Sequence, residues 1–344
     1  GRQWHLIYLD AARAQLVSSG DGETVAVIDT GVDSAHVDLV GNILAGVVTY
    51  VGPGRTTNAS HDLDGHGTGM AGDIAAHGHG VRSGALGIAP DAKILPIADT
   101  DDTGHATDSA MATSIQYATQ HGAKVISISQ GGVSSSPSLA AAVAAAQESD
   151  VVVVAAAGDR SEGDLTVDSP ANLPGVIAVT AIGRDGYRIA ESVSGPTVML
   201  AAPGVDIAST APSGGYAEGT GTSDAAAITA GAVALVRSKY PNLSAAEVIH
   251  RLTATATDKG PPGRDNEYGY GVINIVAALT ADVPPLSASA GATAPVTDQP
   301  ASNGSSGAQP ARTRSSLPFI IPIVAAGLVL LVIVGWRVAR RRTR

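Results

Sequence analysis

The chain has 344 residues, with 21 basic and 31 acidic side chains, a net charge of −10 and no cysteine. The missing thiols exclude disulfides, a thiolate nucleophile and a zinc–thiolate site. Residues 281–344 carry seven Arg against Asp282 and Asp298, which leaves residues 1–280 with 14 basic and 29 acidic groups, a net −15; a surface of that sign argues against nucleic acid as a partner.

Residues 1–280 are enough for one domain with a single core. Val25–Ile28, Ile94–Ile97, Val125–Ile128, Val151–Val154 and Val176–Val179 are short, nearly continuous apolar runs, the pattern of parallel strands buried on both faces. Residues 107–121 and 138–148 have the length and alanine content of crossover helices. The expected fold is therefore α/β, a mostly parallel sheet with helices on both faces. Ser244 followed by Glu247 reads as a capping box that starts a late helix. Residues 281–316 are rich in Pro, Ser, Ala and Gly and form a linker. Residues 317–336 are uncharged and apolar, long enough for one transmembrane helix, and residues 337–344 form a basic tail. The five arginines of that tail place it in the cytoplasm by the positive-inside rule, so the domain is expected outside a cell membrane. No charged and then apolar segment opens the chain, so an export signal is expected to have been removed or omitted.

Three short motifs carry the chemistry. Asp29 ends the first apolar run in Thr24-Val-Ala-Val-Ile-Asp29-Thr30-Gly31; His66 lies in Asp64-Gly65-His66-Gly67-Thr68-Gly69; Ser223 ends Gly221-Thr222-Ser223. A serine hydroxyl is a poor nucleophile at neutral pH. It needs a histidine to take its proton and a buried carboxylate to hold that imidazole in the right tautomer. Each residue alone reads equally well as a turn or cap residue; together, in the order Asp, His, Ser, they point to one nucleophilic site.

On these motifs the chain resembles the subtilases, from about Trp4 to Leu279. The resemblance implies a serine endopeptidase in which Asp29 orients, His66 acts as base and Ser223 attacks. It also implies that Ser129-Gln130-Gly131-Gly132, with Gly158, lines the cleft and pairs with an extended peptide. The stalk, spanning helix and basic tail are similar to those of the mycosins, peptidases that accompany type VII secretion systems, which adds secretion-system components to the expected partners beside a polypeptide substrate and the membrane. No cofactor is required on this reading, and structural calcium is not readable.

The departures from the family pattern are informative. In Val154-Ala-Ala-Ala-Gly158-Asp159 the family has an asparagine that donates to the oxyanion; here Asp159 shares that position with the Ser223 backbone. An ionised carboxylate has no proton to give and repels developing negative charge. Asp224 follows Ser223 where the family commonly has Met. If Asp159 and Asp224 meet, repulsion and burial raise one pKa, and a protonated Asp159 can donate. The expectation is an acid-shifted optimum, limited below by the need for neutral His66. A weakly active scaffold subunit is the competing reading. Gly67–Gly69 is expected to be mobile, Asp62, Asp64 and Asp73 to be solvated loop acids, and His77-Gly78-His79-Gly80 to be an exposed turn with no metal.

Overall fold

The structure is a computed structural model that describes residues 2–50, 52, 58–81, 83–100, 105–131 and 136–286. The chain divides into two compact units, Gly1–Ala288 and Ser289–Arg344, and the described residues all belong to the first. The expected spanning segment 317–336, the tail 337–344 and all but the start of the linker lie outside them. Among the described residues no helix is long and apolar enough to cross a membrane.

Seven strands form a parallel sheet. In chain order they are β1 (Thr24–Asp29), β2 (Val47–Val48), β3 (Lys93–Ala98), β4 (Val125–Ile128), β5 (Val152–Ala156), β6 (Ile177–Ile182) and β7 (Val198–Pro203). Their spatial order is β2-β3-β1-β4-β5-β6-β7, and β8 (Ile207–Ala211) and β9 (Gly215–Gly219) form a separate antiparallel hairpin. Alternation along β1 shows why its apolar run is continuous. Val25 and Val27 enter one core while Ala26 and Ile28 enter the other, so neither face is left for a polar residue.

Two helix layers cover these faces. Met111 and Ile115 of α4 (Asp108–Gln120) and Leu139 and Val143 of α5 (Pro137–Glu148) fill the core beneath one face. On the other, Met70 and Ile74 of α3 (His66–Ala75) meet Ile228, Val233 and Leu235 of α6 (Thr222–Lys239). Each such side chain taken from water contributes roughly 1.5–3 kcal/mol. Helix α6 is buried along nearly its whole length, which explains an Ala-rich sequence with no polar stripe. The short helices α1 (Trp4–Tyr8) and α2 (Ala11–Gln15) and the late helices α7 (Ala245–Ala254) and α8 (Ile275–Thr280) close the same side. Helix α7 begins with the expected capping box, the Ser244 side chain on the Glu247 N–H and the Glu247 side chain on the Ser244 N–H.

The expected strands and crossover helices are present within one to three residues. Strands β2, β7, β8 and β9 and helix α3 were not anticipated. The Gly67–Gly69 stretch, expected to be mobile, is the first turn of α3, and Gly67 and Thr68 are buried. Glycine weakens an isolated helix, but here it permits contact: a Cβ on Gly67 would lie 2.1 Å from the Gly31 carbonyl oxygen, and one on Gly72 2.2 Å from Thr210 Oγ1. Helix α3 is held by what its glycines let approach.

Candidate active site

Four strands end at one rim of the sheet, where open α/β folds bind ligands. Asp29 is the last residue of β1, Asp99 follows β3, Ser129 follows β4, and Gly158-Asp159 follow β5. The N-termini of α3 and α6 bring His66 and Ser223 to the same rim. His66, Asp159, Ser223 and Asp224 line one cavity of about 330 Å³.

The Asp29–His66 pair is fully formed. His66 Nδ1 lies 2.8 Å from Asp29 Oδ1 and 3.0 Å from Oδ2. Asp29 is 2 % exposed and also accepts from the Thr30 N–H at 2.8 Å. Its carboxylate, which outweighs the effect of burial, pushes His66 up to about 9, with smaller contributions from Asp224 and Asp64. The imidazole is 38 % exposed, so solvent screens part of that field.

Asp62 is a site residue that the sequence reading missed. It was expected to be solvated, yet it is 3 % exposed and organises the turn before His66. Its Oδ1 accepts from Thr30 Oγ1 at 2.9 Å and from the Gly65 N–H at 2.9 Å, while Oδ2 accepts from the Thr68 N–H at 2.9 Å and Thr68 Oγ1 at 2.6 Å. Thr30 Oγ1 in turn accepts from the Gly67 N–H at 3.0 Å. One buried carboxylate thus ties β1 to the start of α3 and fixes the approach of His66 to Asp29. The available signal was its place four residues before the histidine in a Gly-rich turn. Asp64 is exposed as expected and accepts from the His66 N–H at 3.1 Å.

Ser223 shares the cavity, but its hydroxyl donates to the Ser129 carbonyl oxygen at 2.7 Å. Ser223, the expected nucleophile, therefore rests on the segment expected to bind substrate, and no hydrogen bond links its hydroxyl to the imidazole among the described residues. Apo hydrogen bonds between serine and histidine are often open in this way. Ser129 and Gln130 follow an interior strand, and no backbone hydrogen bond between described residues engages the N–H or C=O of Gln130 or Gly131. Gln130 turns its side chain back, donating from Nε2 to Asp99 Oδ1 at 2.5 Å. A Cβ on Gly131 would meet nothing within 4 Å, whereas Gly158 packs against Asp164. Gly132 lies outside the described residues.

Asp159 neither reaches solvent nor meets Asp224 as its main partner. It is 7 % exposed, and Oδ2 accepts from both the Thr222 N–H and Thr222 Oγ1 at 2.9 Å. It therefore caps α6 from outside that helix, a favourable place for an anion. Oδ1 is buried and meets no donor. Burial raises the pKa of Asp159, with Asp164 and Glu191 adding to the rise against the Thr222 bonds.

The acid that Asp224 meets is Asp73. Expected to be a solvated loop acid, Asp73 is fully buried on α3, and Asp224 on α6 is 4 % exposed. Burial, and then their mutual repulsion, raise Asp73 well above the usual carboxylate range, and burial raises Asp224 to about 7. Asp73 Oδ1 and Oδ2 are buried and meet no hydrogen-bond partner among the described residues, so two buried carboxyls that raise each other favour a proton on one of them. Asp99, fully buried behind Asp29, is likewise pushed up to about 8 by burial.

His79 is exposed, as expected, but it is tethered. Its Nδ1 is 2.6 Å from Asp38 Oδ1, and Asp38 is fully buried and further accepts from the Ala85 N–H at 2.7 Å and Tyr216 OH at 2.8 Å. The glycine-rich turn is thus pinned to the β8–β9 hairpin. No group of three His, Cys, Asp or Glu able to hold a metal occurs among the described residues.

Such an arrangement can activate a serine hydroxyl by proton transfer to an oriented imidazole, next to a helix N-terminus that favours negative charge. Relatives of the chain carry the same assignment. The sequence profile of the Subtilase family, Peptidase_S8, matches residues 20–271. Subtilisin DY of Bacillus licheniformis is 40 % identical over 275 residues, covering 79 % of this chain and 96 % of its own. The crystal structure of MycP1 with the N-terminal propeptide removed superposes with a TM-score of 0.73 at 32 % identity, covering 83 % of this chain and 98 % of that one. The MycP3 protease from the type VII (ESX-3) secretion system gives 0.71 at 33 %, covering 81 % and 88 %. With the Asp29–His66 pair and Ser223 gathered at one sheet rim, and with similarity that spans the domain, the chain belongs to the subtilase family of serine-type endopeptidases.

Proposed function

We propose that the chain is a membrane-anchored endopeptidase that cleaves extended polypeptides outside the membrane through an acyl-enzyme at Ser223. The observation that carries this reading is the two-oxygen contact of His66 Nδ1 with Asp29 in the cavity that also holds Ser223. A peptide strand entering along Ser129–Gly131 uses backbone groups of Gln130 and Gly131 that no backbone hydrogen bond between described residues engages. The Ser223 hydroxyl then leaves the Ser129 carbonyl for His66 Nε2, which takes the proton as Oγ attacks. The imidazolium that forms is stabilised by Asp29 and returns the proton to the leaving amine. On this reading the Ser223 N–H and a protonated Asp159, whose Oδ1 has no other partner among the described residues, would donate to the developing oxyanion. Residues 317–336 anchor the domain, and likeness to MycP3 supports work beside a type VII secretion apparatus.

The pH dependence follows from two opposed shifts. Asp159 must keep its proton, and burial extends that condition upward. His66 must lose its proton, and Asp29 raises its pKa as well. Activity is bell-shaped, and the His66 shift works against an acid-side optimum.

The second reading, a catalytically weak scaffold subunit, is favoured by the turned-away Ser223 hydroxyl and the carboxyl at position 159. Fluorophosphonate labelling and casein cleavage between about pH 4.5 and 9, with Ser223→Ala and Asp159→Asn, separate the two. Ser223-dependent labelling and cleavage support the peptidase. Labelling that appears only in Asp159→Asn supports the scaffold.

A further inference from the structure

Among the described residues, the cavity beside Ser223 is lined by Asp64, Asp159, Glu162, Glu218 and Asp224, and by no lysine or arginine. Five acids come from five places in the fold: the turn before α3, the end of β5, the short turn after it, strand β9 and the first turn of α6. His66 is the one basic group among them. Asp64, Glu162 and Glu218 are exposed, and none has an ion-pair partner among the described residues. Their crowding is visible in their titration: burial and the charges of Asp159 and Asp164 raise Glu162, and Asp64 and Asp224 both raise His66. A concave, partly desolvated surface of one sign concentrates the field that a ligand meets.

We propose that this acid-lined cavity selects substrates with a lysine or arginine on the leaving-group side of the cleaved bond, Glu218 and Glu162 being specificity-determining residues. The proposal rests on the endopeptidase reading. On the peptidase reading Ser129–Gly131 hold one half of the peptide and do not line the cavity, so the other half passes over β9 and the start of α6; that half is taken to be the one that leaves. An ammonium or guanidinium there meets carboxylates with no lysine or arginine partner among the described residues, whereas an acidic residue meets repulsion.

The test is a set of neutral, internally quenched peptides in which each position in turn carries Lys, Gln or Glu, cleaved by the full chain in detergent, with cleavage sites read by mass spectrometry. Lys after the cleaved bond is expected to raise kcat/KM about tenfold over Gln at about 20 mM salt, with Glu below Gln, and the preference should shrink to about twofold at about 300 mM. Glu218→Gln and Glu162→Gln should each cut the Lys-to-Gln ratio about threefold, while Glu148→Gln, at the far end of α5, leaves it unchanged. Equal rates for Lys and Gln peptides, or a preference untouched by both cavity variants, would overturn the proposal and leave the peptidase reading standing. If no peptide is cleaved, the peptidase reading fails, and binding of the same peptides to Ser223→Ala by fluorescence anisotropy still decides this one: tighter Lys peptides support it, and equal affinities sink it.

Discussion

Asp99 offers the sharpest test of the buried charge at this sheet rim. Its carboxyl has no exposed surface, accepts from Gln130 Nε2, and lies behind Asp29, to whose carbonyl its own N–H donates at 3.1 Å. Burial pushes it from 3.8 to about 8, Gln130 opposes that rise, and Asp29 adds to it. The folded protein thus holds a proton that the unfolded chain releases near pH 4. Stability is then complete below that point and falls as pH rises toward about 8, beyond which it is flat. At about 1.4 kcal/mol per pKa unit, the shift corresponds to a loss on the order of 3–6 kcal/mol across this window. Asp99→Asn keeps an oxygen for Gln130 and removes the ionisation. In a Ser223→Ala background, which prevents self-digestion, the variant should match its parent at about pH 4.5. At about pH 8.5 it should melt some 5–10 °C higher, since a domain of this size gains roughly 1.7 °C per kcal/mol. Thermal unfolding followed by circular dichroism reads both values. Asp73, Asp159 and Asp224 tilt the parent profile the same way, so the difference between the two proteins isolates Asp99. A variant no more stable than its parent at the alkaline end would refute the argument.

Other expectations follow from the same geometry. Asp159→Asn restores an amide donor that needs no proton, so turnover on the alkaline side should rise by about tenfold or more, given the 10²–10³ typical of one such donor; stopped assays across the pH range check it. Replacing Asp73 and Asp224 together by Asn removes the charge by which Asp224 raises His66. The acid limb of kcat/KM should therefore move to lower pH, and a limb that stays or moves up would count against the assignment. Tyr216→Phe removes one of three donors to Asp38. Burial alone would raise Asp38, and His79, Ala85 and Tyr216 more than offset it, leaving the pKa lowered. Its stabilisation is present above about pH 4 and lost below. The variant should lose about 1–2 kcal/mol near neutrality and less at about pH 3, read by urea unfolding.

The sheet was legible because β1, β3, β4, β5 and β6 are buried on both faces, and double burial writes a continuous apolar run. β8 and β9 were not, because a hairpin lying over α3 mixes polar and small residues, as in Gly215-Tyr-Ala-Glu-Gly219. Asp29, His66 and Ser223, which the fold gathers at one rim, could be read from local motifs. Their neighbours could not: Asp62 and Asp73 look like loop acids in the sequence, and only tertiary packing decides that one meets donors from Thr30, Gly65 and Thr68 while the other is buried without one among the described residues. Asp159 was identified by position, but its tie to Thr222 depends on how the end of β5 meets the start of α6.

The resting bond between the Ser223 hydroxyl and the Ser129 carbonyl works as a lock whose key is substrate length. A peptide long enough to lay its backbone on Ser129 competes for that oxygen and frees the hydroxyl as it binds. A small electrophile that touches Ser223 alone has no such lever and must wait for spontaneous rotation. Reactivity measured with compact esters and phosphonates will therefore understate what the enzyme does to an extended chain, and amino-acid esters left intact in solution are compatible with polypeptides being cut.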